Sequence, residues 1–327
     1  MLSSLRIEGF RAFQKLEIGR LGRVNLLVGR NNTGKSTVLE ALHLLAAGND
    51  QALFRKRIEG LLLQREEYGS QSREIDPLRL LHRSYAFQKP VHIHSSSRRQ
   101  VFFAYPGSSI EARVTRGSGA STLELGGGVV RQIEPEQLQP PLPCTLVRAR
   151  GMDADELSSA FDDIGLTDSE ETVLEALRRI TPDLDRVMFI QVNGGAPKRI
   201  PFARRQGGER EPLRSMGEGT IRALELSLAA ARSAGGLLLI DEFENGVHFS
   251  VLPELWTLIF RMAAHLDVQV FATTHSWDCV EAFQQAAAAH AEEGVLIRLA
   301  RQGDTIEAVC LDERDLAVVS REHIEVR

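Results

Sequence analysis

Three apolar runs along the chain have the pattern of strands that are buried on both faces of a sheet. They are residues Val24 to Val28, Leu237 to Ile240 and Val268 to Ala272. Parallel strands in the middle of an α/β sheet read as such continuous runs, and ligands bind beyond their carboxyl ends. Stretches with the apolar period of helices lie between them, at residues 37–47, 220–234 and 252–265. The pattern therefore predicts an α/β fold.

The N-terminus and the stretch after residue 50 have different patterns. Apolar and polar residues alternate over 5–13 and over 16–18, which predicts two short strands of an N-terminal antiparallel β subdomain. Residues 51–150 combine helical stretches, at 53–64 and 77–85, with short alternating runs between Gly- and Pro-rich turns, which predicts an inserted α+β lobe with a small antiparallel sheet. The predicted domains are 1–50, 51–150 and 151–327.

The C-terminal half also carries local turn and cap signals. Residues 186–202 predict a hairpin that turns at Asn193, and residues 295–309 predict a second hairpin that turns at Gly303. Thr167 and Glu170 have the spacing of a capping box ahead of an amphipathic helix.

A loop of the form G-x-x-x-x-G-K-S follows the first buried run. With the residue after it, the motif comprises Gly29, Arg30, Asn31, Asn32, Thr33, Gly34, Lys35, Ser36 and Thr37. The glycines let backbone N–H groups turn toward phosphate oxygens, and the following helix adds the positive end of its dipole. Lys35 would reach the β- and γ-phosphates and the Ser36 hydroxyl would hold Mg²⁺. The alternative is a chance Gly-Lys-Ser turn, which the strand before the loop and the helix after it disfavour.

Polar residues close the other two buried runs. Asp241 and Glu242 follow the second run, where Asp241 would bind Mg²⁺ through its water shell and Glu242 would orient or deprotonate the attacking water. His275 follows the third run and could sense the γ-phosphate. A strand-end histidine is by itself more often a structural residue, but the presence of the P-loop and the two acids favours the functional interpretation. Arg11 or Phe13 could pack on the adenine, although a place in the core or on the surface of the hairpin is favoured.

Composition narrows the class of protein. Of the 327 residues, 43% are hydrophobic and 25% charged, which is ordinary for a soluble globular protein. No run approaches the roughly 18 apolar residues of a membrane span. The N-terminus enters a strand pattern directly, so we expect no signal peptide. The chain has three cysteines, far apart and without a CxxC motif, which predicts reduced thiols in the cytoplasm.

Charge is unevenly distributed along the chain. The net charge is −5, but residues 51–150 carry 15 Lys/Arg against 9 Asp/Glu, whereas residues 221–327 carry 8 against 17. A nucleic-acid footprint, if the protein has one, is therefore expected in 51–150. A merely solvated Arg-rich lobe is an equally good interpretation.

The order of the motifs resembles a known family. A Gly-rich segment, Ser215-Met216-Gly217-Glu218-Gly219, lies between the P-loop and the acidic strand end and opens the helix at 220–234. This order of P-loop, S-x-G-E-G loop, LLLIDE and TTH is similar to ABC-type ATPases of the SMC/RecF/OLD group, most of all to stand-alone AAA family ATPases related to the overcoming-lysogenization-defect (OLD) nucleases. Segments 24–37 and 241–251 carry most of the resemblance, and 51–140 does not contribute.

The resemblance implies an ABC-type P-loop NTPase that binds ATP and Mg²⁺ and hydrolyses ATP. In that family the nucleotide is sandwiched between two subunits. Residues 29–37 would bind ATP in one subunit, Asp241 would be the metal residue, Glu242 the catalytic carboxylate and His275 the switch histidine. Asn245 and His248 lie where the family has its D-loop, at the dimer interface.

The family's signature loop, which would contact the γ-phosphate of the partner's ATP, is matched by Ser215, Gly217, Glu218 and Gly219. A Gly-rich loop that opens a helix is a second anion-binding N-terminus, some 180 residues from Lys35. One molecule does not need two γ-phosphate clamps, whereas two molecules related head to tail by a twofold axis would use both. ATP would then join the subunits of a homodimer or higher homo-oligomer, and Glu242 would set the lifetime of the assembly.

Two departures from related families bear on function. The Ser-Met-Gly-Glu-Gly loop differs from the Leu-Ser-Gly-Gly-Gln signature of transporters, which argues against a membrane partner. About 50 residues follow His275, too few for the Toprim nuclease domain of OLD nucleases, and no long heptad run separates the halves. We therefore expect any nuclease or other effector to be a separate polypeptide.

The favoured hypothesis is an ATP-dependent dimerisation switch that acts on DNA or on a DNA-processing effector, in anti-phage defence or DNA repair. The alternative is a regulatory ATPase scaffold that holds or releases a protein effector, a nuclease or toxin, without binding DNA itself. A transporter ATPase subunit is disfavoured by the motifs.

Overall fold

The computed structural model describes residues 1–48, 50–66, 91–95, 100–104, 110–116, 119–125, 140–192, 198–290, 293–311 and 315. Its strands are β1 (Leu5–Glu8), β2 (Lys15–Ile18), β3 (Val24–Val28), β4 (Val91–Ser95), β5 (Gln100–Ala104), β6 (Ile110–Arg116), β7 (Gly119–Leu125), β8 (Cys144–Val147), β9 (Leu184–Val192), β10 (Lys198–Arg205), β11 (Arg210–Pro212), β12 (Leu237–Ile240), β13 (Gln269–Thr273), β14 (Gly294–Gln302) and β15 (Thr305–Leu311). Its helices are α1 (Lys35–Leu45), α2 (Gln51–Glu66), α3 (Ala154–Ile164), α4 (Asp168–Ile180), α5 (Glu218–Arg232), α6 (Leu252–His265) and α7 (Trp277–Ala288). The helix predicted at 77–85 and the turn at Asn193 lie outside the described residues.

A six-stranded sheet in the order β15–β14–β3–β13–β12–β8 forms the centre of the fold. Five strands of this sheet run parallel to one another, namely β14, β3, β13, β12 and β8. The edge strand β15 pairs antiparallel with β14. The mixed α/β sheet predicted from the three apolar runs is confirmed. The hairpin predicted at 295–309 is also present, and its first strand, β14, pairs with β3 and so extends the central sheet.

Alternation along the central strands divides the hydrophobic core into two layers. In β12, Leu238 and Ile240 join the layer formed with α4, α5, α6 and α7, whereas Leu237 and Leu239 join the layer formed with α1, α2 and the N-terminal strands. Successive side chains of a strand point to opposite faces, so a strand covered on both sides is apolar at most positions. This is the physical reason for the continuous apolar runs.

One polar side chain, Asn25, lies at the centre of this sheet with no solvent exposure. Its Oδ1 accepts from the N–H of Gly22 at 2.8 Å, and its Nδ2 donates to the carbonyls of Gly22 at 2.9 Å and Val270 at 3.0 Å. A buried amide costs little when its donors and acceptors are matched in this way. Asn25 therefore fixes the entry of β3 against β13.

A second sheet is antiparallel throughout and has the order β2–β1–β4–β5–β6–β7. The N-terminal antiparallel strands predicted from alternation are confirmed as β1 and β2. The antiparallel strands predicted in 51–150 are present as β4 to β7, and because β4 pairs with β1 they continue the N-terminal sheet. The domain boundaries at 50 and 150 stay predictions.

A third sheet, β11–β10–β9, contains the hairpin predicted at 186–202. The helices α3 and α4 pack against it, and α5 packs against them and against β8. The predicted capping box at Thr167 is wrong, because the Thr167 hydroxyl donates to the carbonyl of Ile164 instead. The capping box belongs to α3, where Asp153 and Glu156 bond each other's backbone N–H groups.

Within the described part of the chain, no helix is both long and apolar enough to cross a membrane.

Gly236 provides a test of the packing at the start of β12. A Cβ added there would overlap the carbonyl oxygen of Pro143, whose bond from the Leu237 N–H, at 2.9 Å, aligns β12 with β8. We expect Gly236→Ala to lower the free energy of unfolding by about 2–4 kcal/mol, measured by urea denaturation.

Gly60 in α2 is the matched control, because a Cβ there meets no atom within 4 Å. Gly60→Ala should be neutral or stabilising by up to about 1 kcal/mol. Equal effects of the two substitutions would contradict the close approach at Gly236.

Candidate functional site

The P-loop turns sharply between the end of β3 and the start of α1. Gly29 and Gly34 have φ values of 146° and 88°, and Asn32 is also left-handed at 61°. A Cβ at Gly34 would lie 2.5 Å from the ring of Phe13, and one at Gly29 would overlap the carbonyl oxygen of Leu299. Both glycines are therefore required by φ and by space, in the strand–loop–helix context that the motif predicts.

Lys35 lies buried under this loop. Its Nζ donates to the carbonyls of Gly29 at 2.8 Å and Arg30 at 3.2 Å, and lies 3.3 Å from Nδ1 of His275. Burial lowers the pKa of Lys35, while the charges of nearby carboxylates, first that of Asp241, act in the opposite direction. The lysine is thus held at the inner side of the loop, beside His275.

Asp241 joins the P-loop helix to the neighbouring strand ends. Its Oδ1 accepts from the hydroxyl of Ser36 at 3.0 Å and from the hydroxyl of Thr273 at 2.7 Å. The Thr273 oxygen in turn accepts from the N–H of Glu242 at 2.8 Å. Thr273 is the polar residue that closes β13 next to β12, but the sequence pattern predicted no role for it. The structure therefore brings Ser36, Lys35, Asp241, Glu242 and His275 together.

Ser36 and Asp241 fit the requirements of Mg²⁺. Hydroxyl and carboxylate oxygens are the hard ligands that this ion prefers, and it commonly takes one or two protein ligands together with substrate phosphates. Among the described residues there is no cluster of three or more His, Cys, Asp or Glu side chains that could hold a metal ion. The protein oxygens would thus contribute part of the coordination.

Glu242 has an unusual backbone conformation for a non-glycine residue, with φ of 50°. Two bonds to Thr273 hold it, because the Phe243 N–H donates to the Thr273 carbonyl at 2.9 Å beside the bond from the Glu242 N–H to the hydroxyl. The ring of Phe243 is fully buried and stacks on Trp256 with centroids 3.8 Å apart. The turn that carries the candidate catalytic carboxylate is therefore anchored on both sides.

Arg11 and Phe13 belong to the core. Arg11 is 8% exposed and pairs with Glu40, and Phe13 is 1% exposed and packs on Gly34. The favoured alternative, a place in the hairpin and its packing, describes them better than an adenine platform.

A cavity of about 520 Å³ lies on the outer side of the P-loop, between Arg30, Asn31 and Thr33 and the β14–β15 hairpin. Arg298 and Arg301 line it from β14, and Arg301 donates to the carbonyl of Asn32 at 3.1 Å. The sequence pattern predicted no role for these two arginines, because only the parallel pairing of β14 with β3 brings them to the loop.

The signature segment lies elsewhere on the subunit. Ser215 is in a single turn of 3₁₀ helix, Gly217 has φ of 108°, and α5 begins at Glu218. The helix packs against the edge strand β8, three strands from β3 in the sheet. In the described ranges, no hydrogen bond or ion pair joins Ser215, Gly217, Glu218 or Gly219 to residues 29–37. The structure does not bring the two motifs together within one chain.

Two family models match parts of the chain. A family model described as "AAA domain, putative AbiEii toxin, Type IV TA system" matches residues 144–278, and one described as "AAA ATPase domain" matches residues 1–88. Between them, the two matches include the P-loop, the signature segment, Asp241, Glu242 and His275.

Two curated relatives match short parts of the chain, and a third matches most of it at lower identity. An uncharacterized protein of Methanocaldococcus jannaschii is 40% identical over 73 residues, which are 22% of this chain and 33% of the relative. DNA replication and repair protein RecF of Xanthomonas oryzae pv. oryzae is 45% identical over 60 residues, 18% of this chain and 16% of RecF. An ATP/GTP phosphatase of Helicobacter pylori is 23% identical over 330 aligned positions, 87% of this chain and 88% of the relative. The chain thus spans a third or less of the length of the first two.

Solved structures share the fold. The SMC head crystallised with the C-winged helix domain of ScpA aligns with a TM-score of 0.54 at 14% identity, over 95% of this chain and 98% of that one. The SMC head domain of Thermotoga maritima aligns with a TM-score of 0.50 at 14% identity, over 95% and 99%. An ABC-type AAA ATPase of the SMC/RecF group is supported by the two AAA family matches, the match to RecF, the P-loop geometry and the fold shared with SMC heads.

Proposed function

We propose that the protein is an ATP-hydrolysing switch whose two copies associate head to tail around bound ATP. The observation that carries this proposal is the separation of the two γ-phosphate motifs. Lys35 and His275 meet at the ends of β3 and β13, whereas in the described part of the chain Ser215 to Gly219 have no bond to either residue and lead into α5, which packs against β8. A second copy in twofold relation would supply the missing half of each site.

The residues of one subunit have distinct roles in this proposal. Lys35 exchanges its bonds to the loop carbonyls for bonds to phosphate oxygens, and loop N–H groups bind the remaining oxygens. Ser36 and Asp241 would hold Mg²⁺, which neutralises phosphate charge when bound. Glu242 orients the attacking water and accepts its proton, and His275 contacts the γ-phosphate.

Exposed arginines on the third sheet indicate what the switch acts on. On the solvent-facing side of the third sheet, Arg204 lies directly opposite Arg186 on one neighbour and Arg210 on the other. All three are exposed, and in the described part of the chain only Arg204 has an ion-pair partner, Asp185. Like charges opposite one another repel, and a phosphate backbone would relieve the repulsion. We call this surface the basic face.

The basic face favours DNA as the substrate, in anti-phage defence or DNA repair, and the similar protein RecF is named for DNA replication and repair. The footprint predicted in 51–150 lies largely outside the described residues. The alternative, a scaffold for a separate nuclease or toxin, has the support of the family description that names a putative toxin.

The switch predicts opposite phenotypes at Lys35 and Glu242. Lys35→Ala should weaken ATP binding by at least about thirtyfold, because it removes charged hydrogen bonds to phosphate. Glu242→Gln should bind ATP but hydrolyse it about 10²–10⁴-fold more slowly, and should accumulate as a dimer. Binding of a fluorescent ATP analogue and light scattering with and without ATP measure both. Lys15→Ala and Glu254→Gln, on exposed positions of β2 and α6, are matched controls. An assembly state unaffected by ATP in every variant would contradict the switch.

Complementation tests the composite site directly. Lys35→Ala inactivates the P-loop, and Ser215→Arg places a bulky side chain in the exposed signature segment. Each variant alone should be inactive, but mixed dimers have one intact site in two. An equimolar mixture should therefore recover roughly a quarter of the ATPase rate of the unaltered protein. An inactive mixture of two folded variants that still form dimers would argue that each site is complete within one chain.

DNA binding through the basic face should depend steeply on salt. We expect the affinity for duplex DNA to fall with salt, and the combined Arg186→Ala and Arg210→Ala variant to reduce the log–log slope by about two. Fluorescence anisotropy at several salt concentrations measures it. The control carries Arg20→Ala and Arg261→Ala, on exposed positions after β2 and in α6, outside both the basic face and residues 51–150. If the unaltered protein shows no salt-dependent binding, the effector scaffold is favoured instead.

A further inference from the structure

Glu244 links the turn after β12 to the switch histidine. It is the third residue after Asp241, and none of the motifs assigns it a role. Its Oε1 accepts the backbone N–H of His275 at 2.8 Å. A hydrogen bond to an ionised carboxylate is about twice as strong as one between neutral groups. The Glu244 carboxylate therefore binds the backbone just after β13, at His275, whose side chain lies beside Lys35.

The backbone around His275 is otherwise held by its neighbours. The Thr274 N–H donates to the carbonyl of Leu27 at 3.2 Å, and Ser276 caps α7 by accepting from the Cys279 N–H at 3.3 Å. Between these two anchors, the bond to Glu244 sets the orientation of the His275 peptide. That orientation directs the imidazole, whose Nδ1 lies 3.3 Å from Nζ of Lys35.

Glu244 is itself held rigidly. The adjacent Phe243 is fully buried against Trp256, and its N–H is bonded to the carbonyl of Thr273. Because packed side chains allow little displacement, a residue on such an anchored turn can hold its hydrogen-bond partner in one position.

The charge of the Glu244 carboxylate also acts on Lys35. Its charge is among those that oppose the lowering of the Lys35 pKa by burial. Its second oxygen, Oε2, is buried and has no hydrogen-bond partner in the described part of the chain. Glu244 as a whole is half-buried, but a buried oxygen without a partner costs stability. An unsatisfied polar atom of this kind calls for an explanation other than packing.

We infer that Glu244 is a positioning residue for ATP hydrolysis, which orients His275 through its backbone N–H and keeps the imidazole beside Lys35. The inference rests on the proposed ATPase function. Glu244 does not itself touch the nucleotide in this scheme. Its effect should therefore pass through the His275 side chain and should be absent when that side chain is absent.

Two substitutions separate the hydrogen bond from the charge. Glu244→Gln keeps an oxygen that can accept the His275 N–H, and its kcat should stay within about threefold of the unaltered protein. Glu244→Ala removes the acceptor, and its kcat should fall about ten- to a hundredfold, with the affinity for an ATP analogue changed by less than about threefold. Equal losses in the two variants would overturn the inference.

A double-mutant cycle tests the route through His275. In a His275→Ala background, Glu244→Ala should change kcat by less than about twofold, because no imidazole remains to be oriented. The same fold loss in both backgrounds would show that Glu244 acts independently of His275. Thermal unfolding of each variant shows that it is folded at the assay temperature.

An NMR measurement separates this inference from the proposed function. The His275 ring resonances should broaden or shift in Glu244→Ala and should be retained in Glu244→Gln. If the unaltered protein hydrolyses no ATP, the ATPase proposal fails, but the ring resonances still decide whether Glu244 orients His275. Unchanged ring resonances in Glu244→Ala would overturn the inference even in an active enzyme.

Discussion

The parallel register of β3, β13 and β12 is the constraint on which the site depends. Ile240 lies opposite Ala272, so that Asp241 and Thr273 meet where both strands end, and Thr273 lies opposite Leu27 at the approach to the P-loop. A slip of one residue would turn each side chain to the other face of its strand. It would also separate the hydroxyl of Ser36 from Asp241. The apolar side chains on the two faces of the sheet enforce the register, and so the hydrophobic core determines the geometry of the polar site.

The polar groups of the site are satisfied by one another. Lys35 bonds loop carbonyls, and Ser36 bonds Asp241. Each of these bonds has one charged partner and contributes about 1.5–3 kcal/mol, and a bond to a phosphate oxygen is charge-assisted in the same way, so the exchange costs little. Among the residues that the structure describes, the signature segment has no such bond to the P-loop, and the helix that it opens packs against β8. In the proposed switch, ATP binding within a subunit is thus local, whereas completion of the site requires a second copy.

Prediction from the sequence was correct for segments in which one physical cause, burial, determines the residue pattern. It was wrong where two interactions compete for the same polar group. Continuous apolar runs identified β3, β12 and β13, because burial on both faces leaves no other composition. The cap at Thr167 failed because the carbonyl of Ile164, at the end of the preceding helix, competes for the same hydroxyl. Thr273 and Glu244 were missed, because a polar residue beside a motif has no role until its partner in a neighbouring strand is known.

The sequence by itself determined the class of fold, the P-loop and the acids and histidine that close the buried strands. These depend on residue type and spacing within short segments, and local sterics and burial fix them. The tertiary structure decided which strands are neighbours. It joined β4 to β1, inserted β14 beside β3 with Arg298 and Arg301 at the loop, and packed the helix of the signature segment against β8, three strands from β3. Strand order depends on contacts between segments far apart in the chain, and their apolar patterns are too alike to specify which pairs form.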